Sequence, residues 1–387
     1  MMCFNLFQRL AIAALILVQP AFGVLTVQSD WVETTRTNHP FSLRPHERTK
    51  PIVVGDILYF ANLDGQVHAV HRTKGFTLWK TKVPGPVAGA LAYGRSKLFV
   101  GDTEGNLTAL NARDGAKLWQ FKTKSEWLSP PVALKGQVFA TSSSEEVFAL
   151  DIMTGKELWQ YSHRGDERMT IRGTGQPVVF AGELFQGFAD GHLVALSTRK
   201  GEELWSRRLR SRDRFYDVDM PPYVDRDSVV AATFDGKLYH LNRLNGETRW
   251  MFPVGSFGGF VVRERRLYFA GLNGNFYGVD LDSGQVIWKT PYLEGVGLTP
   301  TMVGENLVFT TSSDPVYLLN SKNGEVLWKG VLGAGTMAAA SSGVDEWFYC
   351  LSNYGNLFSF RVMERAGQLS DSNSLLIPTA FKPSPVL

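Results

Sequence analysis

Residues 104–119, EGNLTALNARDGAKLW, form the unit from which most of this chain is built. Close copies of this stretch recur along the sequence, and the seven copies end at Trp79, Trp119, Trp159, Trp205, Trp250, Trp288 and Trp328. The intervals between these tryptophans are 40, 40, 46, 45, 38 and 40 residues. A period of this length that is nearly constant indicates a repeat architecture.

Each copy has the pattern of a β-hairpin followed by a short strand. A turn pair such as Asp64-Gly65 supplies the left-handed backbone that glycine adopts at little cost, and alternating apolar residues follow it. A second turn, Asp114-Gly115 in the opening stretch, precedes the strand that ends in tryptophan. Two further apolar runs lie upstream of each copy, so one period of about 40 residues holds four short antiparallel strands. This is the pattern of a propeller blade.

The two ends of the repeat region are incomplete copies that complement each other. Residues 27–35, VQSDWVETT, form a strand with Trp31 but no hairpin, whereas residues 347–362 supply two strands but no closing tryptophan. A ring closes when the N-terminal strand joins the last blade, because closure removes the exposed sheet edges. We therefore predict an all-β, eight-bladed propeller over residues 24–363, with Trp31 as the eighth blade tryptophan. A seven-bladed ring with loose ends is the alternative.

The blade tryptophans have a structural interpretation. A large ring at the end of each outer strand can pack on the neighbouring blade, and repeats need such contacts because one blade cannot bury its own faces. We expect these residues to hold the scaffold together, not to bind a ligand.

The N-terminal residues 1–23 have the pattern of a secretory signal. Arg9 supplies the positive end, residues 10–18 are an unbroken apolar run, and Ala21-Phe22-Gly23 is a small-x-small cleavage site. The only cysteines are Cys3 and Cys350. Because Cys3 precedes the apolar run instead of following it, we expect export to the periplasm without a lipid anchor. We also expect a mature chain without disulfides, in which Cys350 is a buried thiol.

Composition and motifs exclude several classes of function. The net charge is +3, and it falls to +2 without residues 1–23, so a broad attraction to nucleic acid is not expected. The sequence contains no phosphate-binding glycine loop, no Cys-x-x-Cys pair and no His-Glu-x-x-His. We therefore predict no cofactor and no metal, and residues 364–387, which have no periodic pattern, are expected to form a flexible tail.

Two connections between blades are longer than the repeat requires. From each tryptophan to the first apolar residue of the next blade's second strand there are 17 or 19 residues in most blades, but 25 to Leu184 and 24 to Val229. The extra residues lie in the first connection (residues 163–177, HRGDERMTIRGTGQP) and the second connection (residues 207–222, RRLRSRDRFYDVDMPP). Insertions at equivalent positions of a repeat emerge on one face, which is often the binding face. Two solvated surface loops without a binding role are the alternative.

The repeat resembles the pyrroloquinoline-quinone (PQQ) repeat over about residues 27–362. One group with this propeller is the quinone-dependent dehydrogenases, whose adjacent-cysteine disulfide and greater length are missing here. The other is the BamB family of the outer-membrane protein assembly machinery, which binds the POTRA domains of BamA. Residues 168–173 (RMTIRG) and 215–222 (FYDVDMPP) are similar to two BamB segments, and both fall within the long connections.

The BamB resemblance implies roles for five residues. Met169 and Ile171 take apolar contact positions, Arg172 a basic one, and Asp217 and Asp219 acidic ones. Arg172 either bonds to the partner or pairs with the two aspartates inside this chain. The implied protein is a non-enzymatic, monomeric scaffold on the inner face of the outer membrane, with BamA and nascent outer-membrane proteins as partners. A PQQ-dependent enzyme, or a periplasmic propeller that binds peptidoglycan or sugar, remains the alternative.

Overall fold

The computed structural model describes residues 24–34, 49–89, 91–163, 175–209, 218, 220–233, 236–292, 295–313, 315–331, 340–342, 346–352 and 356–365. All regular elements in these residues are β-strands, and they form eight sheets of four antiparallel strands. The predicted eight-bladed propeller is confirmed. No helix among the described residues has the length and apolar character needed to cross a bilayer.

The strands of the first half follow the chain order. The N-terminal strand is β1 (Val24–Thr34). Blade 1 comprises β2 (Ile52–Val54), β3 (Ile57–Ala61), β4 (Gln66–His71) and β5 (Thr77–Lys82). Blade 2 comprises β6 (Ala92–Gly94), β7 (Lys97–Gly101), β8 (Asn106–Asn111) and β9 (Lys117–Lys122). Blade 3 comprises β10 (Val132–Leu134), β11 (Gln137–Thr141), β12 (Glu146–Asp151) and β13 (Glu157–Ser162). Blade 4 comprises β14 (Val178–Phe180), β15 (Glu183–Gly187), β16 (His192–Ser197) and β17 (Glu203–Arg208).

The second half repeats this plan. Blade 5 comprises β18 (Tyr223–Val224), β19 (Ser228–Thr233), β20 (Lys237–Asn242) and β21 (Thr248–Phe252). Blade 6 comprises β22 (Val261–Arg263), β23 (Arg266–Gly271), β24 (Asn275–Asp280) and β25 (Val286–Pro291). Blade 7 comprises β26 (Thr301–Val303), β27 (Asn306–Thr310), β28 (Pro315–Asn320) and β29 (Val326–Val331). Blade 8 contains β30 (Ser341–Ser342), β31 (Trp347–Leu351) and β32 (Asn356–Arg365).

The ring is closed by the N-terminal strand, as the sequence predicts. Strand β1 pairs antiparallel with β32 and is the outermost strand of blade 8, with Trp31 opposite Ser359. The described part of β32 ends at Arg365, two residues beyond the boundary expected from the sequence. The seven-bladed alternative is excluded, because β1 completes an eighth sheet.

The hydrophobic core is divided among the interfaces between blades. The described residues form eight apolar clusters, and each lies between two consecutive blades. Cys350 is fully buried in β31, and burial raises the pKa of its thiol to about 12. A thiol with so high a pKa has little of the nucleophilic thiolate form at neutral pH.

Each blade tryptophan links two neighbouring blades through a contact with the next blade, and this contact is called the clasp below. In the described residues, the indole N–H of one blade donates to a backbone carbonyl of the next blade in seven pairs: Trp31–Arg72, Trp79–Ala112, Trp119–Ile152, Trp159–Thr198, Trp205–Arg243, Trp250–Leu281 and Trp288–Ser321. Each of these rings also packs on the second turn glycine of the next blade, at Gly75, Gly115, Gly155, Gly201, Gly246, Gly284 and Gly324. The Trp and the Gly of the repeat are therefore the two halves of one contact between neighbours.

One core position carries an unusual residue. His68 is fully buried and its ring stacks on Phe60 with 4.6 Å between centroids. Counted back 11 residues from the blade tryptophan, the equivalent residues are Thr108, Phe148, Val194, Tyr239, Tyr277 and Tyr317. In blade 8, the pairing of β32 with β1 places Phe358 at this position, so five of the seven equivalents are aromatic. Burial, aided by the charge of Lys80, lowers the pKa of His68 to about 4.

We expect His68 to make the protein sensitive to acid. Its folded pKa lies below the unfolded value of 6.5, so its contribution to stability is complete above pH 6.5 and is lost as the pH falls towards 4. The loss amounts to about 3 kcal/mol, on the scale of about 1.4 kcal/mol per pKa unit. His68→Phe keeps the stack on Phe60 and removes the protonation. Urea unfolding at pH 7.5 and 4.5 should show a shallower pH dependence for the variant, without a loss of stability at pH 7.5. An unchanged slope between the two pH values would contradict this assignment.

Candidate functional site

The two long connections lie on either side of blade 4. The first connection joins β13 of blade 3 to β14, the innermost strand of blade 4. The second connection joins β17, the outermost strand of blade 4, to β18 of blade 5. The structure describes residues 163 and 175–177 of the first connection, and residues 207–209, 218 and 220–222 of the second.

The five residues predicted for partner binding fall outside the described residues. Met169, Ile171 and Arg172 belong to the segment 164–174, and Asp217 and Asp219 stand on either side of the described Val218. The described residues next to them show where each connection is attached to the propeller.

The first connection is held at both ends by blade 4. At its start, the ring of His163 stacks on Phe188 with 4.1 Å between centroids and an angle of 14°. Near its end, the carbonyl of Gly175 accepts a hydrogen bond of 2.8 Å from the side-chain amide of Gln186. Gln186 is fully buried and also accepts a bond of 2.6 Å from Thr141 of blade 3. The connection is thus fixed to the seam between blades 3 and 4.

The second connection is attached to the same blade through Val218. This residue is fully buried among the apolar side chains between blades 4 and 5. Its N–H donates to the carbonyl of Phe188 at 3.1 Å. Val218 also lies so close to Gly187 that a side chain at that position would overlap its carbonyl oxygen. The glycine at the end of β15 therefore permits the close approach of the second connection.

Both connections meet at one turn of blade 4, residues 188–191, which lies between β15 and β16. His163 stacks on Phe188 from one side, and Val218 bonds to the carbonyl of the same residue. The turn also receives the N–H of Leu209, which donates to Gly191 at 2.8 Å. One turn thus contacts His163 and Val218, which are 55 residues apart in the sequence.

A polar cluster lies at this turn. The Oδ2 atom of Asp190 is 3.0 Å from Nε2 of His163 and 2.7 Å from Nδ1 of His192. Because an ionised carboxylate only accepts, the ring nitrogens donate. Burial of Asp190 raises its pKa, but the bonds from both histidines outweigh this effect and hold the pKa well below its usual value. The carboxylate of Glu145 accepts the N–H of Ala189 at 2.7 Å, and burial raises the pKa of Glu145.

The sequence analysis did not single out this cluster. His163 stands four residues after its blade tryptophan, where the other copies have Val83, Thr123, Leu209, Val254, Tyr292 and Leu332. His192 stands thirteen residues before its tryptophan, where the other copies have Gln66, Asn106, Glu146, Lys237, Asn275 and Pro315. Histidine occurs at neither position in any other copy, and this departure from the repeat is the signal that marks the pair.

The comparison with known families decides the assignment. The family model described as "Outer membrane protein assembly factor BamB" matches residues 63–290 and 235–367, which include most of the propeller. The chain belongs to the BamB family. This agrees with the resemblance seen in the two long connections.

Individual BamB relatives support the assignment over different lengths. The assembly factor BamB of Pseudomonas aeruginosa is 36% identical over 320 residues, which cover 81% of this chain and 84% of the relative. The BamB of Legionella pneumophila is 30% identical over 147 residues, and this match covers 38% of each chain. For that relative, the matched segment therefore spans less than half of its length.

A solved BamB structure has the same fold. The crystal structure of BamB from Moraxella catarrhalis superimposes with a TM-score of 0.72 and covers 87% of this chain and 98% of its own. The sequence identity is 22%, so this likeness shows the shared propeller and not a shared binding site.

Proposed function

We propose that this chain is a non-enzymatic scaffold of the outer-membrane β-barrel assembly machinery. In this role it binds the POTRA domains of BamA and assists the folding and insertion of outer-membrane proteins. Membership of the BamB family supports the proposal, because the relatives are named as outer-membrane protein assembly factors.

The observation that carries the proposal is the meeting of both long connections at residues 188–191. Asp217 and Asp219 are each one peptide unit, about 3.8 Å between Cα atoms, from the buried Val218. Arg172 is three residues from Gly175, and three residues of chain span at most about 11 Å. Since Gln186 bonds to the carbonyls of both Gly175 and Gly187, and Gly187 touches Val218, the two attachment points are neighbours. The attachment points of the two connections are therefore neighbours on the ring, which supports their use as one binding surface.

The residue types at this place suit a protein partner. Met169 and Ile171 are apolar anchors for a groove on the partner, and burial of such anchors supplies most of the binding energy at an interface. Arg172, Asp217 and Asp219 supply charge-assisted hydrogen bonds that fix the orientation of the complex. In the alternative arrangement, Arg172 pairs with the two aspartates of this chain and shapes the connections. Met169 and Ile171 then make the contact with the partner.

The proposed location is the periplasm, on the inner face of the outer membrane. The pattern of residues 1–23 is typical of a secretory signal and supports this location. In this location the chain is a monomer within a larger complex and contacts nascent outer-membrane proteins.

Recovery of BamA from solubilised outer membranes tests this function. The mature chain, immobilised through its C-terminus, is expected to retain BamA and to bind an isolated POTRA fragment in a saturable way. The same preparation is mixed with PQQ and Ca²⁺, and separately with peptidoglycan fragments. If BamA is not retained and a quinone absorbance band appears, the enzyme is the better assignment. If BamA is not retained and the glycan binds in a saturable way, the sugar-binding protein is the better assignment.

A further inference from the structure

We propose that His163, Asp190 and His192 form a binding site for a divalent cation of the zinc class. The ligand atoms are Nε2 of His163, Oδ2 of Asp190 and Nδ1 of His192, which lie within 4.8 Å of one another. The proposal concerns the seam between blades 3 and 4 and does not depend on the proposed assembly role.

Two of the three separations between the ligand atoms are close to those around a coordinated ion. In a tetrahedral site with bonds of 2.0–2.1 Å, ligand atoms are separated by about 3.3 Å. Here the two nitrogen–oxygen distances are 3.0 and 2.7 Å, so small rotations of the side chains would admit the ion. Two imidazoles and one carboxylate are ligands that favour zinc over calcium or magnesium, which prefer all-oxygen sites.

The surroundings of the cluster hold the ligands in place. The side chains of His163 and Asp190 are 9% and 4% exposed, whereas that of His192 is 25% exposed and leaves a route for an ion to enter. The His163 ring is fixed by its stack on Phe188, and the Oδ1 atom of Asp190 accepts the backbone N–H of His192 at 3.1 Å. Glu145 lies beside the cluster and adds a second carboxylate, whose charge lowers the cost of placing a cation there.

The repeat shows that blade formation does not require these histidines. At the position of His163, three other blades bury Val83, Leu209 and Tyr292, which are apolar or aromatic side chains and make no comparable polar cluster. An acidic or polar residue at the position of Asp190 is ordinary for this turn, as Asp64 and Glu104 illustrate. The combination of two histidines around one carboxylate is thus an addition to the repeat, and it stands at the root of the first connection.

The ion would tie two blades together. His163 directly follows β13 of blade 3, whereas Asp190 and His192 belong to blade 4. Three protein ligands leave a fourth position for water or for a further side chain. The expected effect is a stabilised seam at the start of the first connection.

Calorimetric titration of the mature chain with Zn²⁺ tests the site. Protein without a histidine tag is first treated with a chelator. We expect one Zn²⁺ ion to bind per chain. Binding should be at least about 100-fold weaker in His192→Gln and in His163→Gln, because each variant removes a direct ligand. At a Zn²⁺ concentration about 100 times the dissociation constant, the midpoint of thermal unfolding should rise by about 4 °C in the native protein.

A matched control separates the site from other histidines. His71 at the end of β4 is also partly exposed and bonds to Thr73, so His71→Gln should leave the titration unchanged. Co²⁺ provides a second readout, because its visible bands report nitrogen ligation in the native protein and should vanish in the double variant of His163 and His192. Two results would overturn the proposal. The absence of both saturable binding and Co²⁺ bands would show that the three residues form a hydrogen-bonded cluster only. Binding that survives in the double variant would place the ion elsewhere.

Discussion

Arg172→Glu and Asp219→Arg are each expected to abolish co-purification with a POTRA fragment. Reversing a charge that is desolvated at an interface costs about 2–5 kcal/mol, which weakens binding at least about 30-fold. The propeller is expected to remain folded, because both positions lie in the connections that join the blades. Binding measured by surface plasmon resonance, with circular dichroism as the check on folding, gives the result. Unchanged binding in both variants would rule out these residues as contacts.

Matched charge reversals on the other face provide the control. Lys156 and Glu202 are exposed in the turns that follow β12 and β16, at the opposite end of these strands from the two connections. Lys156→Glu and Glu202→Arg should therefore leave POTRA binding unchanged.

A charge swap distinguishes the two roles of Arg172. If Arg172 pairs with Asp219 inside the chain, the double variant Arg172→Asp, Asp219→Arg should restore binding. If each residue contacts the partner, the double variant should bind no better than the single ones.

Trp119→Ala is expected to cost about 3–5 kcal/mol of unfolding free energy. The indole is 9% exposed, packs on Phe99 and donates its N–H to the carbonyl of Ile152 at 3.2 Å. Its removal leaves a cavity between blades 2 and 3 and an unpaired carbonyl. Denaturant unfolding measures the loss. Leu118→Ala is the control, because the neighbouring Leu118 is 46% exposed on the same strand and should cost little. Equal losses for both variants would show that the clasp has no special weight.

The partner of this ring is expected to be as sensitive. In Gly155→Ala, the new Cβ would lie 2.6 Å from two atoms of the Trp119 ring, on a backbone with φ of +71°. Gly136→Ala in the same blade has a φ of +91° but its Cβ would meet nothing closer than 4.0 Å. Gly136→Ala should therefore cost about 1–2 kcal/mol for the backbone alone, and Gly155→Ala at least twice as much. Equal losses of stability in the two variants would mean that backbone strain, and not displacement of the Trp119 ring, determines the cost of Gly155→Ala.

The number and order of the blades could be predicted because they follow from local chemistry. Turn glycines such as Gly115 fix where the chain reverses, and the tryptophan at the end of each unit fixes the period. The closure of the ring by the strand of Trp31 could also be predicted. The N-terminal strand lacks a hairpin and the last hairpin lacks an outer strand, and pairing the two removes the exposed edge of each. What the sequence left open was the partner of each tryptophan. The structure shows that it is the turn glycine of the next blade.

The two long connections were predictable from the sequence, but their attachment to the propeller was not. The lengths to Leu184 and Val229 reveal two insertions, because a repeat provides its own standard of comparison. The resemblance to BamB selected Met169, Ile171, Arg172, Asp217 and Asp219 within them, and their contacts stay a prediction. The length of an insertion does not show which part of the propeller it contacts. The attachment of both connections at residues 188–191 could therefore not be predicted.

The sequence by itself thus determined the fold, since each of its turns and alternating strands depends on residues close along the chain. Only the tertiary structure decided what meets across the blades. His163 follows the last strand of blade 3 and His192, 29 residues later, begins β16 of blade 4, so their convergence on Asp190 depends on how two blades pack. The same is true of residues 104–119, whose Gly115 and Trp119 each complete a clasp with a different neighbour. Pairings of this kind are set by the geometry of the closed ring, which no single repeat contains.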